Sequence, residues 1–258
     1  MKKLEAHNPF SAPVYHEETV ISTMDVSRKL AAEGGTHGTV ITSDFQEAGR
    51  GRIRDRLWEM DRGASLPFTI LLRYSCIEEI PVALTLRAGL AVSLAIEDFA
   101  PSLQGKIKIK WPNDILIESK KTAGILCEAE SGNVYLGIGI NMSQNNFSSH
   151  LQDKATSIVI AAGKSVCKED RFSLLEKILL KLHEELENNK ADWKSRLEQR
   201  LFKLREEVTF FEGAADRQKE IKGFISGIGD KGELLIKSES DAEATPYFSG
   251  EISFSSII

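Results

Sequence analysis

Residues 106–141 read KIKIKWPNDILIESKKTAGILCEAESGNVYLGIGIN. Ile107 and Ile109 alternate with Lys106, Lys108 and Lys110, the period-two pattern of a strand with one buried face. Pro112-Asn113-Asp114 supplies turn chemistry, and Ile115–Ile117 resumes the sheet. Thr122–Glu130 and Val134–Ile140 follow as two further strands.

On the N-terminal side, Val14–Thr19 reads as an edge strand. Ser22 or Thr23 offers an N-cap to a helix that stops at Gly34-Gly35. Thr39–Ser43 and Leu66–Arg73 read as strands, the second fully buried. Pro81 then opens a helix in which Leu86, Leu90 and Leu94 recur every four residues. On the C-terminal side, Asn145–Asp153 is a polar loop, and Asp170 to about Arg200 gives one or two amphipathic helices. The texture changes near Arg205, after which only short strands remain: Val208–Phe211, Glu220–Ser226, Glu233–Lys237 and Glu251–Phe254. The reading is α+β: a mixed β-sheet with helices on one side over residues 1–205, then a small all-β barrel over 206–258.

Composition narrows the function. In 258 residues, 33 basic groups face 38 acidic ones, a formal charge of −5, so no global attraction draws the chain to nucleic acid or to an anionic membrane. Any polyanion site is therefore local. Cys76, Cys127 and Cys167 are odd in number and lack CxxC spacing, which disfavours a disulfide framework or a zinc site and suits a reducing cytoplasm. Met1–Phe10 has no apolar core and is not a secretory signal. The apolar stretch Ile80–Ala100 is broken by Pro81, Arg87, Glu97 and Asp98, so it reads as a buried helix rather than a membrane span.

Three segments carry chemistry. Gln46–Trp58 (QEAGRGRIRDRLW) places Arg50, Arg52, Arg54 and Arg56 within seven residues. Glycines among arginines let backbone approach a ligand while guanidinium forks grip phosphate or carboxylate, and Trp58 adds a stacking face. Neither a P-loop nor a Rossmann fingerprint is present. In the second segment, a strand delivers Lys110, Asn113 suits an adenine edge, and Asp114 suits a magnesium ion. Lys121 enters an apolar strand beside Ala123 and Gly124, which leave room for a ligand. The third segment is Gly137-Ile-Gly-Ile-Asn141. The histidines show no ligand or triad spacing, and Cys127 reads as core.

Taken together these segments resemble the biotin protein ligases, or biotin–[acetyl-CoA-carboxylase] ligases, over nearly the whole chain. The resemblance rests on Gly49-Arg-Gly-Arg52, Lys110-Trp-Pro-Asn-Asp114, Lys121-Thr-Ala-Gly-Ile-Leu126 and Gly137-Ile-Gly-Ile-Asn141. Ser22-Thr-Met-Asp25, Ala155-Thr-Ser157, Gly223-Phe-Ile-Ser-Gly-Ile and Gly250-Glu-Ile-Ser support it. It implies a class II synthetase-like catalytic domain with an SH3-like C-terminal barrel. It also implies a short form without the family's N-terminal winged helix, hence no DNA binding, as a monomer or homodimer.

The resemblance further implies that Ser22, Thr23, Gln46, Gly49, Arg50, Arg52, Lys121 and Gly124 bind biotin. Arg50, Arg52, Arg56, Trp58, Lys110, Asn113 and Asn141 would bind ATP, with Arg52, Lys121 and Asp114 catalytic and Asp114 on Mg²⁺. Arg54-Asp55 departs from the family's usual loop, which has a glycine there, and one residue is inserted before Trp58. The implied reaction activates biotin as biotinyl-5′-AMP and transfers it to a lysine of an acceptor such as a biotin carboxyl carrier protein. A lipoate or octanoate ligase, or a non-catalytic biotin- or nucleotide-binding module, are the alternatives.

Overall fold

The computed structural model describes residues 1–52, 57–163, 167, 169–187, 192–213, 219–239 and 241–253. The first of its two sheets contains β1 (Lys2–Leu4), β2 (Val14–Val20), β3 (Thr39–Gln46), β4 (Ser65–Arg73), β5 (Ile107–Lys110), β6 (Asp114–Ile117), β7 (Lys120–Glu130) and β8 (Asn133–Asn141). Their order is β1-β2-β3-β4-β8-β7-β6-β5. The β2–β3 pair is parallel and the other neighbours are antiparallel, so the sheet is mixed.

Side chains alternate between the faces. Leu66, Phe68, Ile70 and Leu72 of β4 face the main core, made with α2 (Leu84–Phe99) and α4 (Asp170–Glu187). Leu71 faces the other way, onto Met24 and Ala31 of α1 (Thr23–Ala32) and Tyr135 of β8. The long helices thus share one side, whereas α1 covers the opposite side, contrary to the expectation of helices on one side only. Helix α2 buries 12 of its 16 residues, including Arg87. Arg87 Nε lies 3.2 Å from Glu185 Oε1, and Arg196, from α5 (Trp193–Glu198), reaches Glu185 Oε2 at 2.8 Å. These ion pairs clamp α2, α4 and α5 together.

Two local expectations change. β2 is not the edge strand, because Lys2–Leu4 pairs along it from His16 to Val14. Helix α2 begins at Leu84 rather than Pro81, because Ala83, its N-cap, turns the chain through the left-handed region at φ 55°. The stretch from Asp170 divides into α4 and α5, and α3 (Ile158–Ala162) is a short addition.

The second sheet comprises β9 (Glu207–Glu212), β10 (Lys219–Ile228), β11 (Leu234–Lys237), β12 (Thr245–Tyr247) and β13 (Gly250–Ile252), in the order β12-β11-β10-β9-β13. All its pairs are antiparallel, which is compatible with an SH3-like barrel. β12 carries Pro246 and lies at the sheet edge, where a missing N–H is tolerated. Of the expected last strand, Phe254 lies outside the described residues. Trp111 joins the two sheets: its Nε1–H donates to Gly232 O at 2.9 Å, and its indole packs against Phe210.

Arg87 and Glu185 are each 2% exposed, so removing Arg87 leaves the buried Glu185 carboxylate to Arg196 alone. Arg87→Met is expected to lower unfolding free energy by about 3 kcal/mol in urea titration, a magnitude typical of broken buried pairs. A loss near zero would show that the clamp does not support the fold.

Candidate functional site

Beside α1, one patch of the sheet face opposite the long helices is bare of side chains. Gly124 of β7 and Gly137 and Gly139 of β8 lie there, while their neighbours Ile125, Ile138 and Ile140 face the main core. The Trp58 indole lies on this bare patch. A Cβ on Gly139 would stand 2.9 Å from Trp58 Cε2, and one on Gly124 would stand 3.1 Å from Cζ3. Met24 packs on Gly137 in the same way. What remains between them is an inner cavity of about 60 Å³. A wider outer groove of about 670 Å³ adjoins it, with Gly51, Arg52, Trp58, Asn113 and Lys121 lining both.

The inner cavity ends on polar groups. Ser22 caps α1, its Oγ accepting from Met24 N at 3.3 Å. Thr23 N–H donates to Gln46 Oε1 at 2.8 Å, and Thr23 Oγ1 lies 3.0 Å from the same oxygen. Ser22 and Thr23 are buried, so these contacts are shielded from water.

Lys121 stands at the junction of cavity and groove, put there by a bulge. Asp114 pairs with Gly124 and Ile115 with Ala123, but Leu116 pairs with Lys121, so β7 carries one extra residue. Strict alternation would send Lys121 to the core face; the extra residue returns it to the face of Gly124. Its Nζ lies 2.6 Å from Asp114 Oδ1 and 5.6 Å from the Trp58 ring centroid, an ion pair with a cation–π contact. Backbone pairing of Lys121 with Lys154 and Thr156 builds the adjoining wall.

The other expected residues gather around this point. Asn113 Nδ2 donates to Ile125 O, and Asn141 Nδ2 donates to Thr156 O. Asn141 Oδ1 and Trp58 Nε1 are buried and have no hydrogen-bond partner among the described residues. Lys110, 1% exposed at the end of β5, lines the outer groove. Arg50 pairs with Asp25 in the first turn of α1, whereas Arg52 Nη2 donates to Gly250 O of β13 at 2.9 Å. Gly49 lines neither space; its backbone packs against Gln46 and Trp58. Arg56, with Arg54 and Asp55, lies outside the described residues.

Sequence reasoning gave no site role to Met24 and Leu126 at the inner cavity, to Thr69 behind its wall or to Glu251 at the outer groove. The Gly137–Gly139 spacing, two residues on one strand face, was the available signal for the bare patch. Burial pushes the Cys127 thiol up to about 11, which disfavours the thiolate a nucleophile needs and agrees with a core role. Among the described residues no cluster of three or more His, Cys, Asp or Glu side chains could cage a metal ion.

The profile of the biotin/lipoate A/B protein ligase family matches residues 18–145. The chain is 39% identical to the bifunctional ligase/repressor BirA of Bacillus subtilis over 174 residues, which are 65% of this chain and 51% of that protein. It thus spans about half the length of that relative. It is 30% identical over 182 residues to the biotin–[acetyl-CoA-carboxylase] ligase of Mycobacterium tuberculosis, covering 69% of this chain and 64% of that one. Among solved structures, the biotin protein ligase of Aquifex aeolicus in complex with biotin and ATP superposes with a TM-score of 0.77 at 29% identity. That match covers 93% of this chain and 97% of the other.

Gly139→Ala tests the packing of Trp58. The added methyl meets the indole ring rather than backbone, so the ring should shift while the sheet persists. Tryptophan emission should move to the red with stability within about 1 kcal/mol of wild type. The shift should vanish in a Trp58→Phe background. Emission unaffected by Gly139→Ala would place the indole elsewhere.

Proposed function

We propose that the chain, whose residues 18–145 match the biotin/lipoate A/B protein ligase family, is a working member of it that activates biotin with ATP and passes the biotinyl group to an acceptor lysine. The observation that carries this reading is the position of Lys121. It stands where a cavity ending in amide and hydroxyl groups opens into a groove large enough for a nucleotide. An elongated acid whose polar ring enters at Thr23 and Gln46 would bring its carboxylate to Lys121.

A carboxylate is a poor acyl donor, and the proposed first step converts it to a mixed anhydride. A carboxylate oxygen attacks the α-phosphorus of ATP, the bond to the β-phosphate oxygen breaks, and pyrophosphate leaves. Lys121 would hold the carboxylate and α-phosphate oxygens together, offsetting charge that builds between them. Asp114 would keep the ammonium in place until the anions arrive. Arg50 and Arg52 would add guanidinium donors, while Lys110, Trp58, Asn113 and Asn141 would border the nucleotide, with Arg56 as a further phosphate ligand.

In the second step an acceptor lysine amine attacks the acyl carbon, an amide forms, and AMP leaves with the C–O bond pair while the amine loses a proton. Water must stay out, since it would consume the anhydride; Trp58 and the Gly49–Arg52 segment would cover it.

Magnesium fits this site as a companion of the nucleotide rather than as a resident ion. Mg²⁺ commonly takes one or two carboxylates, with phosphate oxygens and waters completing its shell, and Asp114 is the carboxylate available beside Lys121. Bound there, it would neutralise phosphate charge. Residues 1–205 would form the catalytic domain and 206–258 the SH3-like cap. The partner would be an acceptor domain of the biotin carboxyl carrier type, and the setting a reducing cytoplasm.

Incubation with ATP, Mg²⁺, biotin and a biotinyl-acceptor domain should add the biotinyl mass to one lysine of that domain, with biotin-dependent pyrophosphate exchange. Lipoate should not substitute. Lys121→Ala should fold but lose about 100-fold or more in pyrophosphate exchange, the scale for removing a charge-stabilising donor. Exchange at the wild-type rate in that variant would remove Lys121 from the chemistry, and absence of both activities in the wild type would overturn the proposal.

A further inference from the structure

Beneath Thr23 lies a side chain outside the cavity wall: Thr69 of β4, fully buried, whose Oγ1 is 2.9 Å from Thr23 Oγ1. We infer that Thr69 is a positioning residue that fixes the hydrogen-bonding sense of the cavity's inner end, so that it selects a head group carrying a carbonyl oxygen flanked by N–H, as in a cyclic urea. This deepens the biotin reading and rests on it.

The sense of the chain follows from valence alone. A backbone N–H can only donate, so the Gln46 amide atom 2.8 Å from Thr23 N must be the oxygen, not the NH₂ group. That oxygen has no proton. At the 3.0 Å contact, Thr23 Oγ1 must therefore be the donor, which spends its single hydroxyl proton. At the 2.9 Å contact with Thr69 only one arrangement remains: Thr69 O–H donates and Thr23 Oγ1 accepts. The relay runs from Thr69 to Thr23 to Gln46, every member oriented.

Two consequences reach the ligand. Gln46 Nε2, with two donors, is the amide end left for it, beside the Gly49 backbone. Thr23 Oγ1 keeps one lone pair beyond the proton it receives from Thr69. The inner end thus offers donors from Gln46 and one acceptor from Thr23, a pattern that a urea carbonyl with an adjacent N–H satisfies. A dithiolane ring satisfies neither, and leaving built-in polar groups unpaired is a strong basis for rejection. Thr69 touches no ligand; its hydroxyl polarises and holds Thr23 in the low-dielectric interior of the sheet, where chained hydrogen bonds reinforce one another.

The test compares Thr69→Val, which keeps the shape and removes the donor, with Thr69→Ser, which keeps the donor. Calorimetric titration with biotin should show affinity about tenfold weaker for Thr69→Val, the scale of one buried hydrogen bond, and close to wild type for Thr69→Ser. In pyrophosphate exchange the KM for biotin should rise in Thr69→Val while the KM for ATP and kcat stay unchanged. A role confined to sheet packing would not give that split or that rescue. Should Thr69→Val fail to fold, Thr69→Ala replaces it. Unchanged biotin affinity in the folded donor-less variant, or no rescue by Thr69→Ser, overturns the inference alone. Absence of biotin binding by the wild type overturns the functional reading and the inference together.

Discussion

A ten-residue helix cannot cover one face of an eight-stranded sheet, and the architecture of the site follows from that mismatch. Helix α1 is about 15 Å long, while eight strands at normal spacing extend over roughly 34 Å. On the other face, α2 and α4 close the core with continuous apolar packing. On the α1 face the strands carry Gly124, Gly137 and Gly139, which makes the uncovered part a recess rather than an exposed apolar patch. Trp58 lies across that recess, with its indole N–H buried and unpartnered among the described residues. An unpaired buried donor is costly and uncommon, which fits a ring placed to meet a ligand rather than to finish a core.

The charges obey the same logic in an acidic chain. Three of the cations expected to meet substrate already have a partner from another element: Arg50 has Asp25, Arg52 has the Gly250 carbonyl, and Lys121 has Asp114. Arg50 is substantially exposed, so its pair contributes little to stability; what it does is hold a long side chain at the mouth of the recess. Incoming phosphate and carboxylate would exchange these partners for stronger ones, without first collecting scattered side chains. Lys121 differs from the arginines in having a cation–π contact as well, so its position is fixed from two directions.

How much of this was legible in the sequence depended on whether the signal was local. Strand periodicity located most of β3 to β8, and the lysine beside Ala123-Gly124 marked a position that lines the recess, because a charge does not otherwise enter an apolar strand. Alternation alone, however, assigns Lys121 to the core face; the bulge that turns it round has no signature at Thr122, an ordinary strand residue. Thr69 was equally invisible, because a buried threonine in an apolar strand is indistinguishable from packing until Thr23 is seen 2.9 Å away. β1 was missed since three residues carry no period, and α1's side of the sheet could not be assigned without knowing which strands it crosses.

The segment Lys110–Asp114 shows how one short motif can tie chemistry to assembly. Lys110, Asn113 and Asp114 line the outer groove, and Asp114 holds Lys121. Between them Trp111 reaches the other way, donating to Gly232 and packing on Phe210 of the second sheet. That sheet in turn presents Gly250, whose carbonyl receives Arg52. Gly250 has φ of 145°, and a Cβ there would stand 2.2 Å from Phe210 Cζ, so only glycine fits where the strand meets the arginine. Phe210 is therefore shared: it supports Trp111 on one side and excludes any side chain at Gly250 on the other. The groove is bounded by two sheets joined through Trp111 and through the Arg52–Gly250 contact, so a change at Phe210 would reach Arg52 by way of Gly250.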